Sequence, residues 1–155
     1  MLSLIICGAA LLAAGMLLGA ALYDAVVLAP NLRGGPANLE YGRLFMSSAT
    51  PARLFRILSP LTQVLIVASL AVNWSNEPSR WTLIAALVAL IICDVITFRY
   101  HYPRNALMFT APLTVEPARL ALAAKQWTAA NLVRVALVFV GWLGALIGLV
   151  RSAPQ

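Results

Sequence analysis

The chain has 155 residues, 62% of them hydrophobic and 10% charged, with a mean hydropathy of +0.89. Its eleven Lys and Arg and five acids are too few to clothe a water-soluble fold, since an average soluble domain carries about 25% charged residues. Disorder needs low hydrophobicity and nucleic-acid binding needs a concentrated basic face, so the thinly spread net charge of +6 excludes both as the main role. The expected surroundings are a lipid bilayer.

A spanning helix needs about 20 mostly apolar residues, and four stretches meet or approach that. The first runs from Leu2 to about Ala29, interrupted by Asp24, and the second from about Ile57 to Trp74 without a charge. The third, Trp81 to Phe98, carries Asp94, and the fourth, Leu132 to Val150, carries Arg134. Between the second and third, Ser75 to Arg80 includes Pro78, and so short a link forces an antiparallel hairpin. The first apolar stretch outruns the core of a signal peptide and no Lys or Arg precedes it, so it is expected to be retained. No internal repeat is visible. The expectation is an all-α, four-helix transmembrane bundle forming one domain over residues 1–155, with short interfacial helices in the first and third loops.

Loop charge sets the expected orientation. Arg33, Arg43, Arg53, Arg56, Arg99, Arg104, Arg119, Lys125 and Arg134 lie at one end of the bundle, against Arg80 and Arg151 at the other. Both long loops are therefore expected in the cytoplasm, with the termini outside and a bacterial inner membrane as the location. Thr50-Pro51 is a cap and first-turn signal that starts the second helix before lipid, and Pro60 is expected to kink it. Asn38 to Met46 predicts a short amphipathic turn with Leu39, Tyr41, Phe45 and Met46 at the interface. Pro117 suits a first helical position, so the fourth helix is expected to begin well outside the lipid. Leu120, Ala124, Trp127, Asn131, Arg134 and Val138 alternate by four and three residues, which places them on one inward stripe.

Lipid gives no hydrophobic reward for helix contact, so small residues matter where helices meet. Gly15 with Gly19 and Gly144 with Gly148 both match the small-xxx-small pattern. They are expected either to pack helix one on helix four or to form a homodimer or partner-helix interface. Gly8, Gly15 and Gly19 share a face with Tyr23, which predicts an inward Tyr23.

Antiparallel threading gathers Asp24, Arg53, Arg56, Asp94, Arg99 and Arg134 at one end. A charge at a helix centre costs about 2.5–3.5 kcal/mol on insertion scales, so such residues usually face the interior and pair. Asp24 or Asp94 bridging to Arg134 would pin helix register, and the same cluster would floor a pocket. The two readings are compatible. Tyr100 to Phe109 follows the third span, and Pro103 is expected to break the helix there, leaving polar groups at membrane depth that are tolerated only around a cavity. Asn105 either caps a short helix or binds a ligand. His101, the single histidine, is either an interfacial residue beside two tyrosines or a cavity ligand. With Cys7 and Cys93 about a membrane core apart, neither a metal site nor a C-x-x-C oxidoreductase fits. No Walker loop, G-x-S-x-G or H-E-x-x-H is present.

Three segments carry a family resemblance: Gly19-Ala20-Ala21-Leu22-Tyr23 through Pro30, Pro103-Arg104-Asn105, and Trp127-Thr128-Ala129-Ala130-Asn131-Leu132-Val133-Arg134. Nearly the whole chain resembles the DUF1772, or anthrone oxygenase-like, family of four-span membrane proteins. The resemblance implies a four-helix bundle with a pocket for a flat lipophilic aromatic. It also implies, for some members, oxidation of anthrones to anthraquinones with no metal or flavin, so no cofactor is expected. Where members often carry an acidic residue and a histidine before the first-loop proline, this chain has Val27-Leu28-Ala29-Pro30.

On that reading a base must form the carbanion and donors must steady the oxyanion. Asp94 or Asp24 is the expected base, with Arg134 and Asn131 near the developing charge. Trp127 and Tyr23 are expected as walls, Asn105 as an orienting group and His101 as a further ligand-binding residue. The alternative is a non-catalytic accessory subunit or scaffold that packs its glycine faces on partner helices. Transport fits less well, because no inverted repeat or paired broken helix is present.

Overall fold

In a computed structural model, residues 1–33, 36–110 and 115–152 are described, and among them all regular structure is helical. Helix α1 (Leu2–Tyr23) passes through a wider π turn (Asp24–Leu28) into the single turn α2 (Ala29–Leu32). The interfacial α3 (Pro36–Phe45) follows, then α4 (Pro51–Val72) and α5 (Glu77–Ile96). A second π turn (Thr97–His101), the short α6 (Tyr102–Asn105) and a third π turn (Ala106–Thr110) prolong α5, and α7 (Pro117–Ser152) closes the chain. Four continuous helical courses, Leu2–Leu32, Pro51–Val72, Glu77–Thr110 and Pro117–Ser152, are long and apolar enough to cross a bilayer. The protein is an integral membrane protein.

Neighbouring helices pair in the ring order α1, α4, α5, α7. At 36 residues, α7 is about 54 Å long against a hydrocarbon core of about 30 Å, so it stands clear of the lipid by several turns. Its buried stripe includes Leu120, Ala124, Trp127, Asn131, Arg134 and Val138, the residues its spacing selects. On α1 the buried stripe is Cys7, Ala10, Ala14, Leu17 and Ala21, and Asp24 continues it in the π turn.

The two glycine motifs serve different contacts. A Cβ on Gly144 would lie 2.8 Å from Ala86 Cβ and 2.8 Å from the Thr82 carbonyl oxygen, and one on Gly148 would lie 2.9 Å from Leu83 Cδ2. Gly144 and Gly148 therefore seat α7 on α5, not on α1, and that face is already covered. Gly15 does approach α7, at 3.6 Å from Trp142 Nε1, while Gly8 and Gly19 have open space around them. The glycine side of α1 is thus its outer side. Tyr23, which shares it, is 48% exposed and does not point inward. Alanines, with Leu17, supply the packing face instead.

Pro103 also behaves differently from the sequence expectation. Regular α geometry ends at Ile96, but the helical course continues to Thr110. A proline ring presses on the carbonyl four residues earlier. Here that residue is Arg99, inside the π turn, whose wider winding relieves the clash. Pro30 repeats the device, with Val26 inside the first π turn. Helix α4 continues through Pro60.

Two apolar cores divide the bundle along its length. The central one joins Ala10 and Leu17 to Leu58, Ile66, Leu83, Leu90 and Val138. The other, at the looped end, joins Leu28, Leu32, Leu39, Met108, Leu120 and Trp127. The far end is fastened by Asn73: its Oδ1 accepts from Ser3 Oγ and Ser152 Oγ at 2.8 Å each, and its Nδ2 donates to the Ser69 carbonyl at 2.8 Å and to Cys7 Sγ at 3.3 Å. This one amide links α1, α4 and α7. Asn73→Ala is expected to cost about 1–3 kcal/mol through its orphaned partners, read as a lowered unfolding midpoint in detergent.

Candidate functional site

Between the two cores lies a polar layer. Arg134 Nη2 donates to Asp24 Oδ2 at 2.5 Å, and both side chains are buried. The guanidinium carbon also sits 4.2 Å from the centre of the Phe55 ring, a cation–π arrangement that offsets part of the charge's desolvation. The ion pair joins the end of α1 to α7, as one sequence reading requires of Asp24.

Asp94 has other partners. Ser59 Oγ donates to its Oδ1 at 2.7 Å and Gln63 Nε2 donates to its Oδ2 at 2.6 Å. With both oxygens held, Asp94 is a tie between α4 and α5. It lines a small cavity of about 190 Å³ that Arg134, Cys93 and Thr97 also border.

On the other side of Arg134 is a cavity of about 380 Å³. Its walls are mostly apolar: Leu28 from the first π turn, Met46 after α3, Ala52 and Phe55 from α4, Ala106 and Phe109 from the third π turn. Asp24, Arg56, His101, Tyr102, Asn105, Trp127 and Arg134 bring polar groups to it. The second π turn and α6 deliver three of these, since His101 and Asn105 are four residues apart and stack on one face.

Several of these groups have no partner within the protein. Among the described residues, the buried atoms without a hydrogen bond include both ring nitrogens of His101, Asn105 Oδ1, Trp127 Nε1, both amide atoms of Asn131 and Arg134 Nε. Native proteins leave only a few such atoms, and each asks for a reason. Asn131 is 0% exposed and lies between Trp127 and Arg134 on the α7 stripe. Asn73, at the opposite end of the bundle, has every amide group bonded. The contrast separates an asparagine used for packing from one left open.

His101 is 1% exposed and meets Trp127 edge-on, with ring centres 5.5 Å apart. It is a buried residue of the cavity wall. Arg104 fixes the stretch beside it by donating through Nε to Gln126 Oε1 at 3.0 Å and through Nη1 to the Tyr100 carbonyl at 3.0 Å. Arg43 Nε donates to the Met108 carbonyl at 2.7 Å and so holds α3 over the third π turn.

Of the residues singled out from sequence, Asp24, Arg134, His101, Asn105 and Trp127 meet around the larger cavity, and Asn131 lies between two of them on α7. Asp94 borders the smaller cavity. Tyr23 corrects the expectation of an inner wall: it lines an outer groove with Val27, Tyr41 and Phe45. Arg56 belongs to the charged cluster that the sequence places at this end, whereas sequence reasoning missed Phe55, Tyr102, Met46 and Phe109 as wall residues. Tyr102 was adjacent to a named histidine, but nothing in the local pattern marked Phe55 or Met46.

The profile described as anthrone oxygenase, the DUF1772 family, matches residues 44–144. The chain belongs to the anthrone oxygenase family. No curated protein and no solved structure matches it. The matched stretch carries His101, Asn105, Trp127, Asn131 and Arg134, whereas Asp24 precedes it. The anthrone oxygenase profile therefore covers all of the unpartnered cavity groups on the second π turn, α6 and α7.

Proposed function

We propose that this protein binds a small, flat, lipophilic phenol or enolisable ketone in the larger cavity and oxidises it with dioxygen. In an anthrone-type ring the methylene loses two hydrogens and gains one oxygen atom from dioxygen, and the second oxygen atom leaves as water. The observation that carries this reading is the group of unpartnered polar atoms around an apolar-walled space. Trp127 Nε1 and Arg134 Nε are donors for a ligand oxygen, Asn105 Oδ1 is an acceptor for a hydroxyl, and the aromatic and aliphatic walls suit a flat ring. Family membership supports the same choice of substrate class. The excess of basic residues at the looped end supports a cavity facing the cytoplasm.

Purified protein given a dihydroxyanthrone is expected to take up oxygen, with Trp127→Phe slower by about tenfold through loss of one donor to the oxyanion. Absence of uptake by the unaltered protein would retire the catalytic reading. Asn131→Leu gives an independent check. Removing an unbonded buried amide is expected to stabilise the protein by about 1–3 kcal/mol, read as a higher unfolding midpoint. Lower stability in that variant would show that Asn131 is a packing residue.

A second reading, a non-catalytic subunit, is favoured by the open side of α1 at Gly8 and Gly19. Crosslinking in native membranes from cysteines placed on that side is expected to report a partner helix if it holds.

A further inference from the structure

We infer that the binding site has two parts, and that the smaller cavity beside Arg134 takes an alkyl or prenyl substituent of the ligand whose flat ring fills the larger one. The inference rests on the binding reading above and narrows the substrate class to rings that carry a hydrocarbon side chain.

The two cavities adjoin. Phe55, Arg56, Thr97, Tyr102 and Arg134 border both the larger, of about 380 Å³, and the smaller, of about 190 Å³. The rest of the smaller one lies mainly between α4 and α5. Its lining begins in the bundle core with Leu17 of α1 and Val138 of α7, both buried. It ends at Pro60 and Phe98, which are exposed residues of spanning helical courses. That end therefore meets lipid.

The polar groups around the two spaces differ in what they still need. In the larger cavity His101, Asn105 and Trp127 keep buried atoms without partners. Around the smaller one Asp94 has both oxygens bonded, to Ser59 and Gln63, and Thr97 Oγ1 donates to the Cys93 carbonyl at 2.9 Å. Arg56 Nε donates to the Tyr102 hydroxyl at 3.5 Å. Among the described residues bordering this space, Arg134 Nε is the one buried nitrogen or oxygen atom without a partner, and Arg134 borders the larger cavity too.

A buried water needs about two to four polar partners, and the smaller cavity spares too few. Hydrocarbon fits it. Leu17, Pro60, Phe98 and Val138 supply apolar wall atoms, and atoms facing a void forfeit dispersion that a chain would restore. The shared border with the ring site favours the ligand's own substituent over a bilayer acyl chain, which adjoins only the outer end. Lipid gives no hydrophobic reward for leaving it, so the chain acts on selectivity through packing. Its effect is read between variants, where partition into the micelle cancels.

The test uses detergent-purified protein under argon and a pair of probes: a dihydroxyanthrone, and the same ring bearing a short alkyl chain that ends in a diazirine. On irradiation the chain-bearing probe is expected to label Leu17, Phe98 or Val138, identified by peptide mass spectrometry. Labelling away from the smaller cavity, such as at Tyr41 and Phe45 in the outer groove, or of detergent alone, overturns the inference. Val138→Phe narrows the smaller cavity and is expected to weaken binding of the chain-bearing probe about tenfold, and of the bare ring by less than about twofold. Undiminished binding of the chain-bearing probe in Val138→Phe also overturns the inference. If that variant does not fold, the labelling pattern of the unaltered protein decides alone. Binding of the bare ring with labelling elsewhere leaves the pocket reading intact, whereas no binding of either probe overturns both.

Discussion

Asp24→Asn will leave the Arg134 guanidinium buried and charged without its carboxylate, and the protein is expected to lose about 3–5 kcal/mol of stability. The cost comes less from the lost attraction than from the uncompensated charge, because Arg134 cannot shed its proton and has apolar cores above and below it. Phe55 offsets only a small part. The paired replacement Asp24→Leu with Arg134→Met is expected to recover most of the loss, since removing both charges also removes both desolvation penalties. Unfolding of the single and double variants in detergent micelles measures the difference. Equal stability in Asp24→Asn and the unaltered protein would mean that the pair is not buried as described. The double variant is also expected to be inactive, because the donor facing the cavity is gone. Stability and activity then separate in one protein, which a purely structural ion pair would not allow.

The second large effect is expected from Gly144→Val. A Cβ alone at this position falls 2.8 Å from the Thr82 carbonyl oxygen and from Ala86 Cβ. Neither neighbour is a flexible side-chain tip, so α5 and α7 must separate. Overpacking of this kind costs about 1–3 kcal/mol, and valine lies at the upper end. Gly19→Ala on α1, with nothing within 4 Å, is the matched control and is expected to leave the unfolding midpoint unchanged or slightly raised, by helix propensity. The consequence reaches the site. His101 continues the course of α5 and Trp127 lies on α7, so parting the two helices pulls their edge contact open. Gly144→Val is therefore expected to weaken ligand binding from a position well away from the cavity along α7.

How much of this was legible in the sequence can be judged residue by residue. The stripe from Leu120 to Val138 was legible because a long helix imposes a strict period, and every member of the stripe is buried. The early starts of α4 at Pro51 and α7 at Pro117 were legible because proline fits the first helical turn and few other places. Asp24, Asp94 and Arg134 stood out as charges in apolar runs. Which acid pairs with Arg134 did not. That choice depends on whether α1 or α5 presents its carboxylate to α7 at the right depth, and Ser59 and Gln63 on α4 take Asp94 first. Tyr23 was misjudged because glycines were assumed to mark the contact face, whereas α1 packs through alanines, which also permit close approach. Pro103 was misjudged because a proline signals strain but not how it is relieved, and here π turns absorb it.

The sequence by itself determined the solvent, the number of crossings and the end of the bundle at which polar groups collect. These follow from composition, length and alternating direction, which are properties of the chain taken in order. Only the tertiary structure decided which helices adjoin, which acid meets Arg134 and which polar atoms remain unbonded. Those outcomes are competitions among groups distant in sequence, settled by depth and rotation of whole helices, and no local pattern encodes the winner.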